Sequence, residues 1–367
     1  MEAERNKSVT LTVTEACNLN CTYCYENHKS RNKMSADTAK RILDYELNLD
    51  DGFKGVTIDF FGGEPFLEFE LIREVAEYIW SREYKKPYTM FVSSNGTLIH
   101  GEIKEWLLQH KGQFSVGLSF DGTELMQNVN RSNSSDQIDV DFFHRTYPDQ
   151  GVKMTISLDT LPHLYEGVRF LQDKGFIVNC NLAYGLDWSD ERLCKILEDQ
   201  LMKLINHYVD NIRISPCSML NMEIGSAAYN LEYTKWCGAG TQMKVYSPEG
   251  KLYPCHYFQP LSVGNELAEK SLKIDFSESG RLMDPECKDC PILSVCPTCY
   301  GSNFASTGDV RKKDRNLCKL TKIIALANSY LWYEKLQRYS DDDLGIDIEK
   351  RKELTDAISI IQKKIDI

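Results

Sequence analysis

The sequence predicts an α/β fold: a partial (β/α)6 TIM-like barrel, then a small cysteine-rich domain and C-terminal helices. Two observations carry this. Strand-like and helix-like apolar patterns alternate six times through the first ~215 residues, as a parallel sheet wrapped by helices requires. After Ser215 the alternation stops, and short strands and turns with closely spaced cysteines follow.

The strands are expected at Val9–Thr14, Val56–Phe61, Tyr88–Ser93, Phe114–Ser119, Val152–Leu158 and Ile177–Ala183. The helices are expected at Ala36–Leu49 behind a Ser35 cap, Phe69–Ser81, Ile103–Gln109, Ile138–Thr146, Leu161–Lys174 and Ser189–Asn206. Phe69, Ile72, Val75, Ala76 and Ile79 make one apolar stripe, the mark of a helix with one buried face. In such a sheet, chemistry gathers at the carboxyl ends of the strands. Residues 1–215 form the expected barrel. Residues 216–319, with strands at Gln242–Tyr246 and Lys251–Tyr253 and little helix, read as a small domain stapled by metal. Residues 320–367 supply two helices, Leu320–Leu336 and Ile348–Ile365, the second docking through Leu354, Ile358 and Ile361.

Net charge is −11, from 43 basic and 54 acidic residues. That surface disfavours nucleic-acid binding, which needs clustered basic residues to displace counterions. No apolar run reaches the ~20 residues of a membrane span, and the start lacks a signal-peptide core. A cytoplasmic enzyme is expected, and in that reducing compartment the 13 cysteines read as metal ligands rather than disulfides. Cys180, Cys194 and Cys217 stand alone and read as small buried hydrophobes.

Cys17, Cys21 and Cys24 follow the first strand directly. Three thiolates at this spacing cap three corners of a cubane and leave one iron open, where an amino acid's amino and carboxylate groups can chelate. A zinc site is the alternative, with His28 as the only nearby fourth ligand. The segment Cys17-Asn18-Leu19-Asn20-Cys21-Thr22-Tyr23-Cys24 resembles the signature of the radical S-adenosylmethionine superfamily, Tyr23 standing at its aromatic position. The resemblance implies a [4Fe–4S] cluster that cleaves S-adenosylmethionine to a 5′-deoxyadenosyl radical. It further implies that Gly62-Gly63-Glu64-Pro65 holds the cofactor's amino group and that Ser93 and Asn95, in Ser93-Ser94-Asn95-Gly96-Thr97, face its ribose. Ser119 becomes a further cofactor contact, Arg131 the partner of the methionine carboxylate and Ile156 an adenine-packing residue.

The later cysteines resemble a SPASM domain, an extension that carries two auxiliary iron–sulfur clusters in peptide-modifying relatives. By that likeness Cys287, Cys290, Cys296 and Cys318 hold the outer cluster, and Cys237, Cys255 and Cys299 the inner one. Only two residues, Pro297 and Thr298, separate Cys296 from Cys299 where the family has three. A fourth inner cysteine is missing, with Met243 about where it belongs. The vacancy then takes a substrate thiolate or borrows a ligand such as His256. A zinc knuckle over Cys287–Cys299 is the alternative.

The expected substrate is a peptide or protein, a Cys-containing ribosomal precursor receiving a thioether or other crosslink, with a flavodoxin- or ferredoxin-like reductant. The first strand begins so near Met1 that no N-terminal leader-binding domain is expected. An anaerobic sulfatase-maturating enzyme is the second reading. That family places a catalytic Asp directly after the Gly-x4-Cys cysteine; here His256 stands there as the base. A non-catalytic multi-cluster electron carrier is the reading from another class.

Overall fold

The computed structural model describes residues 6–229, 235 and 237–365. Eight strands run in chain order: β1 (Asn6–Thr14), β2 (Gly55–Gly62), β3 (Tyr88–Ser94), β4 (Phe114–Leu118), β5 (Val152–Ile156), β6 (Val178–Leu182), β7 (Met243–Tyr246) and β8 (Leu252–Tyr253). The main sheet has the order β4-β3-β2-β1-β7-β8, and β5 pairs with β6 separately. A parallel bridge between Ser119 and Lys153 carries the arc from β4 to β5. The first six strands therefore follow one another around a partial barrel, all pairs parallel.

Parallel neighbours need a crossover, and helices supply each one. Ala36–Asn48 links β1 to β2, capped by the Ser35 hydroxyl, which accepts from Thr38 N at 3.1 Å. Phe69–Trp80 buries the predicted stripe, Phe69, Ile72, Val75, Ala76 and Ile79, against the sheet. Gly101–His110, Leu164–Asp173 and Glu191–Asp210 serve the later strands. Between β4 and β5 lie two helices, Glu124–Asn130 and Val140–Thr146; the first is short and went unseen in the sequence.

Alternation along the strands divides core from lumen. In β2, Val56, Ile58 and Phe60 enter the helix-facing core, while Thr57, Asp59 and Phe61 are half-buried on the other face. In β5, Val152, Met154 and Ile156 do the same, with Lys153 and Thr155 opposite.

Two expectations for residues 216–319 change. The strand near Met243 does not stay within a small domain: β7 pairs parallel with β1, from Ser8 beside Met243 to Leu11 beside Tyr246, and covers what would be an open barrel edge. The segment also holds more helix than its pattern suggested, at Pro260–Ser271 and Tyr300–Thr307. Gly264, at φ +75°, interrupts the first and masks its periodicity. The second buries small and polar residues, Gly301 lying against Tyr257. The C-terminal helices span Cys318–Arg338 and Ile348–Lys364, and Leu354, Ile358 and Ile361 dock on Ile224, Ile292 and Val295. Cys180, Cys194 and Cys217 are buried as expected. Among the described residues no helix is long and apolar enough to cross a membrane.

Candidate active site

The loop leaving β1 carries Cys17, Cys21 and Cys24, all half-buried free thiols. The loop leaving β2 lies directly against it. Gly63 N donates to Thr14 O at 3.2 Å and Glu64 N to Ala16 O at 2.9 Å. This approach needs glycine twice. Gly62 has φ +143° and a Cβ there would stand 1.9 Å from Thr14 O; at Gly63 it would stand 2.3 Å from Ala16 O and 2.9 Å from Cys17 Cβ. Gly62→Ala is therefore expected to cost at least about 2 kcal/mol, from backbone strain alone, and to weaken cofactor binding. Thermal unfolding and calorimetric titration with S-adenosylmethionine check this.

The Glu64 carboxylate is nearly fully buried. It accepts from Ser94 Oγ at 2.9 Å, Asn95 N at 2.8 Å and Phe66 N at 3.2 Å, so both oxygens tie the β2 loop to the β3 loop. Burial pushes its pKa up to about 7 against those donors. Asn95 in turn donates to Asn18 Oδ1 at 2.9 Å, and Asn18 donates to Thr97 Oγ1 at 2.8 Å. Asn18 lies inside the cysteine motif. The β3 loop thus grips the thiol-bearing loop itself. Ser93 is half-buried and takes one long bond, 3.4 Å, from Lys153 Nζ.

Asp121, just beyond β4, joins the remaining parts. Fully buried, it accepts from the Tyr23 hydroxyl at 2.5 Å, Asn130 Nδ2 at 3.0 Å and Thr155 N at 2.8 Å, and forms an ion pair with Arg131 at 3.0 Å. The Arg131 guanidinium also stands 5.4 Å from the Tyr23 ring centre. The cysteine loop is pinned here too: Thr22 N donates to Asn130 O at 2.9 Å and Asn20 N to Ser132 Oγ at 3.0 Å. Burial pushes the Cys17 thiol up to about 11, with Lys29 pulling the other way. Cys21 is likewise raised by burial and opposed by Arg131. Three thiols on one loop, flanked by two cations, suit a group that needs anionic sulfur ligands. Among the described residues no three His, Cys, Asp or Glu side chains converge as ligands of a single ion.

Two expected contacts take other positions. The Ile156 side chain is fully buried in the helix-facing core, on the opposite face from Thr155, so it packs no adenine; strand alternation decides this. His256 stacks on Phe61, ring centres 5.0 Å apart, and lies 6.0 Å from Tyr25. Burial and Lys153 push its pKa down to about 4, which makes it a weak proton acceptor at neutral pH. Ser119 bridges to Lys153, its amide donating to Ser94 O at 2.9 Å. Asn18, Thr97, Asp121 and Asn130 were missed in the sequence. The Asp-Gly pair ending β4 was visible, but its partners come from three separate segments.

Residues 11–199, half of the chain, match the family model of the Radical SAM superfamily (SAM being S-adenosylmethionine). The chain belongs to this superfamily. An uncharacterized protein of Methanocaldococcus jannaschii, MJ0907, is 33% identical over 171 residues, covering 45% of this chain and 58% of that protein. The cysteine-type anaerobic sulfatase-maturating enzyme of Clostridium perfringens is 24% identical over 77% of this chain and 85% of its own length. The antilisterial bacteriocin subtilosin biosynthesis protein AlbA of Bacillus subtilis is 24% identical over 85% and 70%. Among solved structures, native anSMEcpe with bound AdoMet superposes with a TM-score of 0.68 at 18% identity, covering 90% of this chain and all of that one. Streptococcus suis SuiB bound to precursor peptide SuiA gives 0.52 at 17%, covering 85% and 76%. The family implies a [4Fe–4S] cluster and S-adenosylmethionine, and the thiol trio with its flanking cations fits them.

The later cysteines of this radical SAM enzyme lie in two places. Cys287, Cys290, Cys296 and Cys318 line one cavity of about 380 Å³ together with Lys313 and Arg315. Cys255 is buried, and Cys237, Cys299 and Met243 pack with it in a separate apolar cluster. Burial and the nearby Cys299 push the Cys255 thiol far up. A second cavity, about 320 Å³, opens between the end of β6 and this cluster, lined by Cys299, Tyr184, Met222 and Lys313. Tyr184 is a further residue that sequence patterns did not single out.

Proposed function

We propose that this enzyme is a peptide maturase that acts on a ribosomally made, Cys-containing precursor and installs a thioether or another crosslink. The observation that carries the reading is the cavity beside Cys299. The inner trio Cys237, Cys255 and Cys299 lacks a fourth thiol, because Met243 stands on β7 in the same cluster, and the cavity leaves room there for a substrate side chain. A relative whose name refers to bacteriocin biosynthesis and a fold neighbour bound to a precursor peptide support the substrate class.

In this reading Cys17, Cys21 and Cys24 hold the radical-forming cluster, and the two later groups hold auxiliary clusters within residues 216–319. When bound, the first cluster and S-adenosylmethionine supply a 5′-deoxyadenosyl radical that takes a hydrogen atom from the substrate. The chain's own residues do the positioning. Arg131, fixed by Asp121, presents a cation for the methionine carboxylate, and the Gly62–Gly63 backbone lies where an ammonium can be received. Asn95 and Ser93 border the ribose side, while the barrel walls keep water from the radical.

The sulfatase-maturase reading asks for a carboxylate after Cys255. His256, held neutral and stacked on Phe61, gives that place no comparable proton acceptor. The test is anaerobic incubation of the reduced enzyme with S-adenosylmethionine and synthetic Cys-containing peptides. Formation of 5′-deoxyadenosine, with a peptide lighter by two hydrogens and one free thiol fewer, is expected. Loss of the cysteine sulfur would favour formylglycine formation instead. No 5′-deoxyadenosine at all would favour the electron carrier.

A further inference from the structure

Lys313 lies between the two cavities that the later cysteines line, and it borders both. It is buried, 8% exposed. Its ammonium donates to Cys296 Sγ at 2.9 Å, Pro297 O at 3.2 Å and Thr298 Oγ1 at 3.4 Å. Among the described residues no carboxylate forms an ion pair with it. The acids nearby are engaged otherwise: Asp284 Oδ2 accepts from the Lys313 backbone N at 2.9 Å and from Arg315 Nη2 at 2.8 Å, Glu286 accepts from Arg315 at 3.0 Å, and Asp314 accepts from Asn316 N at 3.1 Å.

A buried ammonium without a counter-ion costs several kcal/mol. Here, among the described residues, the ionisable group within bonding distance of the ammonium is the Cys296 sulfur. Arg315 adds a second cation, donating to Cys287 Sγ at 3.4 Å. The inner trio differs: among the described residues no Lys or Arg side chain bonds to the sulfur of Cys237, Cys255 or Cys299, and Cys299 accepts from backbone amides, those of Ser302 at 3.4 Å and Gly301.

We propose that Lys313 is the cation that raises the reduction potential of the outer auxiliary iron–sulfur centre above that of the inner one. Reduction adds one electron and no proton to the centre, so a fixed positive charge in contact with its sulfur favours the reduced state. An electron released to the inner trio is then drawn outward, away from the substrate. Lys313 acts in this scheme through Cys296 Sγ, while its side chain also borders the cavity proposed for the substrate.

The inference rests on the reading that Cys287, Cys290, Cys296 and Cys318 hold a cluster. The test is a redox titration followed by electron paramagnetic resonance, on the full chain reconstituted with iron and sulfide. Cys17, Cys21 and Cys24 are replaced there by alanine to remove the first cluster's signal. Lys313→Met is expected to lower the outer centre's reduced-to-oxidised ratio at a given potential at least tenfold, a shift of about 59 mV to more negative values for a one-electron couple. Lys313→Arg, which keeps the charge, is expected to stay near the parent value. An intact outer centre whose potential is the same in Lys313→Met would overturn the proposal, as would an equal shift in Lys313→Arg. If the methionine variant fails to assemble, Lys313→Gln keeps a donor toward Cys296 without the charge. Loss of outer iron in both neutral variants would make Lys313 structural and overturn the tuning role. If iron content is unchanged by Cys287→Ala in the parent chain, the cluster reading itself is wrong, a distinguishable result.

Discussion

Cys17→Ala protein is expected to fold normally and to form no detectable 5′-deoxyadenosine. Cys17 is a half-buried thiol on a loop beyond β1, and it accepts only a 3.5 Å contact from Leu19 N, so its removal leaves no cavity in the core. The loop's own anchors remain: Asn18 to Thr97 and Asn95, Thr22 to Asn130, Asn20 to Ser132. Stability should change by no more than about 1 kcal/mol, as for a replacement outside the packed core. The chemistry has no such reserve. Two thiolates cannot hold a cubane that offers an open iron, and the remaining residues have no route to a radical. Iron analysis should show one cluster fewer, and chromatography of the quenched reaction should show no nucleoside product. Because folding is preserved, circular dichroism of the variant should overlay that of the parent.

The second large effect is expected at a residue that touches no cofactor in any reading above. Asp121→Ala should destabilise the protein by about 3–5 kcal/mol, because it leaves the Arg131 guanidinium buried without its counter-ion. The same substitution releases the Tyr23 hydroxyl, Asn130 Nδ2 and the Thr155 amide, each a donor in a closed environment. Asp121→Asn is the informative companion. It keeps the shape and one acceptor oxygen but loses the charge, so Arg131 should still fold into place while its orientation loosens. Denaturant unfolding gives the energies, and titration with S-adenosylmethionine reads the cost to binding. The alanine variant should lose measurable affinity, and the asparagine variant should lie between it and the parent. A parent-like alanine variant would mean that Arg131 is held by something other than Asp121.

The six barrel strands were legible in the sequence because each lies between turn signals and carries an apolar face, and their crossover helices because of stripes such as Ile72–Val75–Ile79. The cysteine trio was legible because all three thiols sit within one short loop. What escaped is what depends on contacts between distant segments. Asp121 gathers donors from residues 23, 130, 131 and 155, and no spacing rule joins them. Ile156 read as an adenine neighbour from its place on β5, yet strand alternation turns its side chain into the core. The strand at Met243–Tyr246 was seen, but not that it pairs with β1, since pairing is set by the open barrel edge rather than by its own four residues. Lys313 lies in a run of charged residues, Arg311 to Arg315, that reads as solvated; only the fold shows that one of them is buried against sulfur.

The central claim is that Cys17, Cys21 and Cys24 hold a cluster whose fourth iron is completed by S-adenosylmethionine. Electron paramagnetic resonance of the reduced chain, with Cys287 and Cys290 replaced to silence the outer group and Cys237 and Cys255 replaced to silence the inner one, tests it most directly. Addition of S-adenosylmethionine should change the g-values of the remaining N-terminal signal, and methionine labelled with ¹⁵N or ¹⁷O should show hyperfine coupling to it. A signal indifferent to the cofactor, or a trio that purifies anaerobically with zinc, would contradict the account.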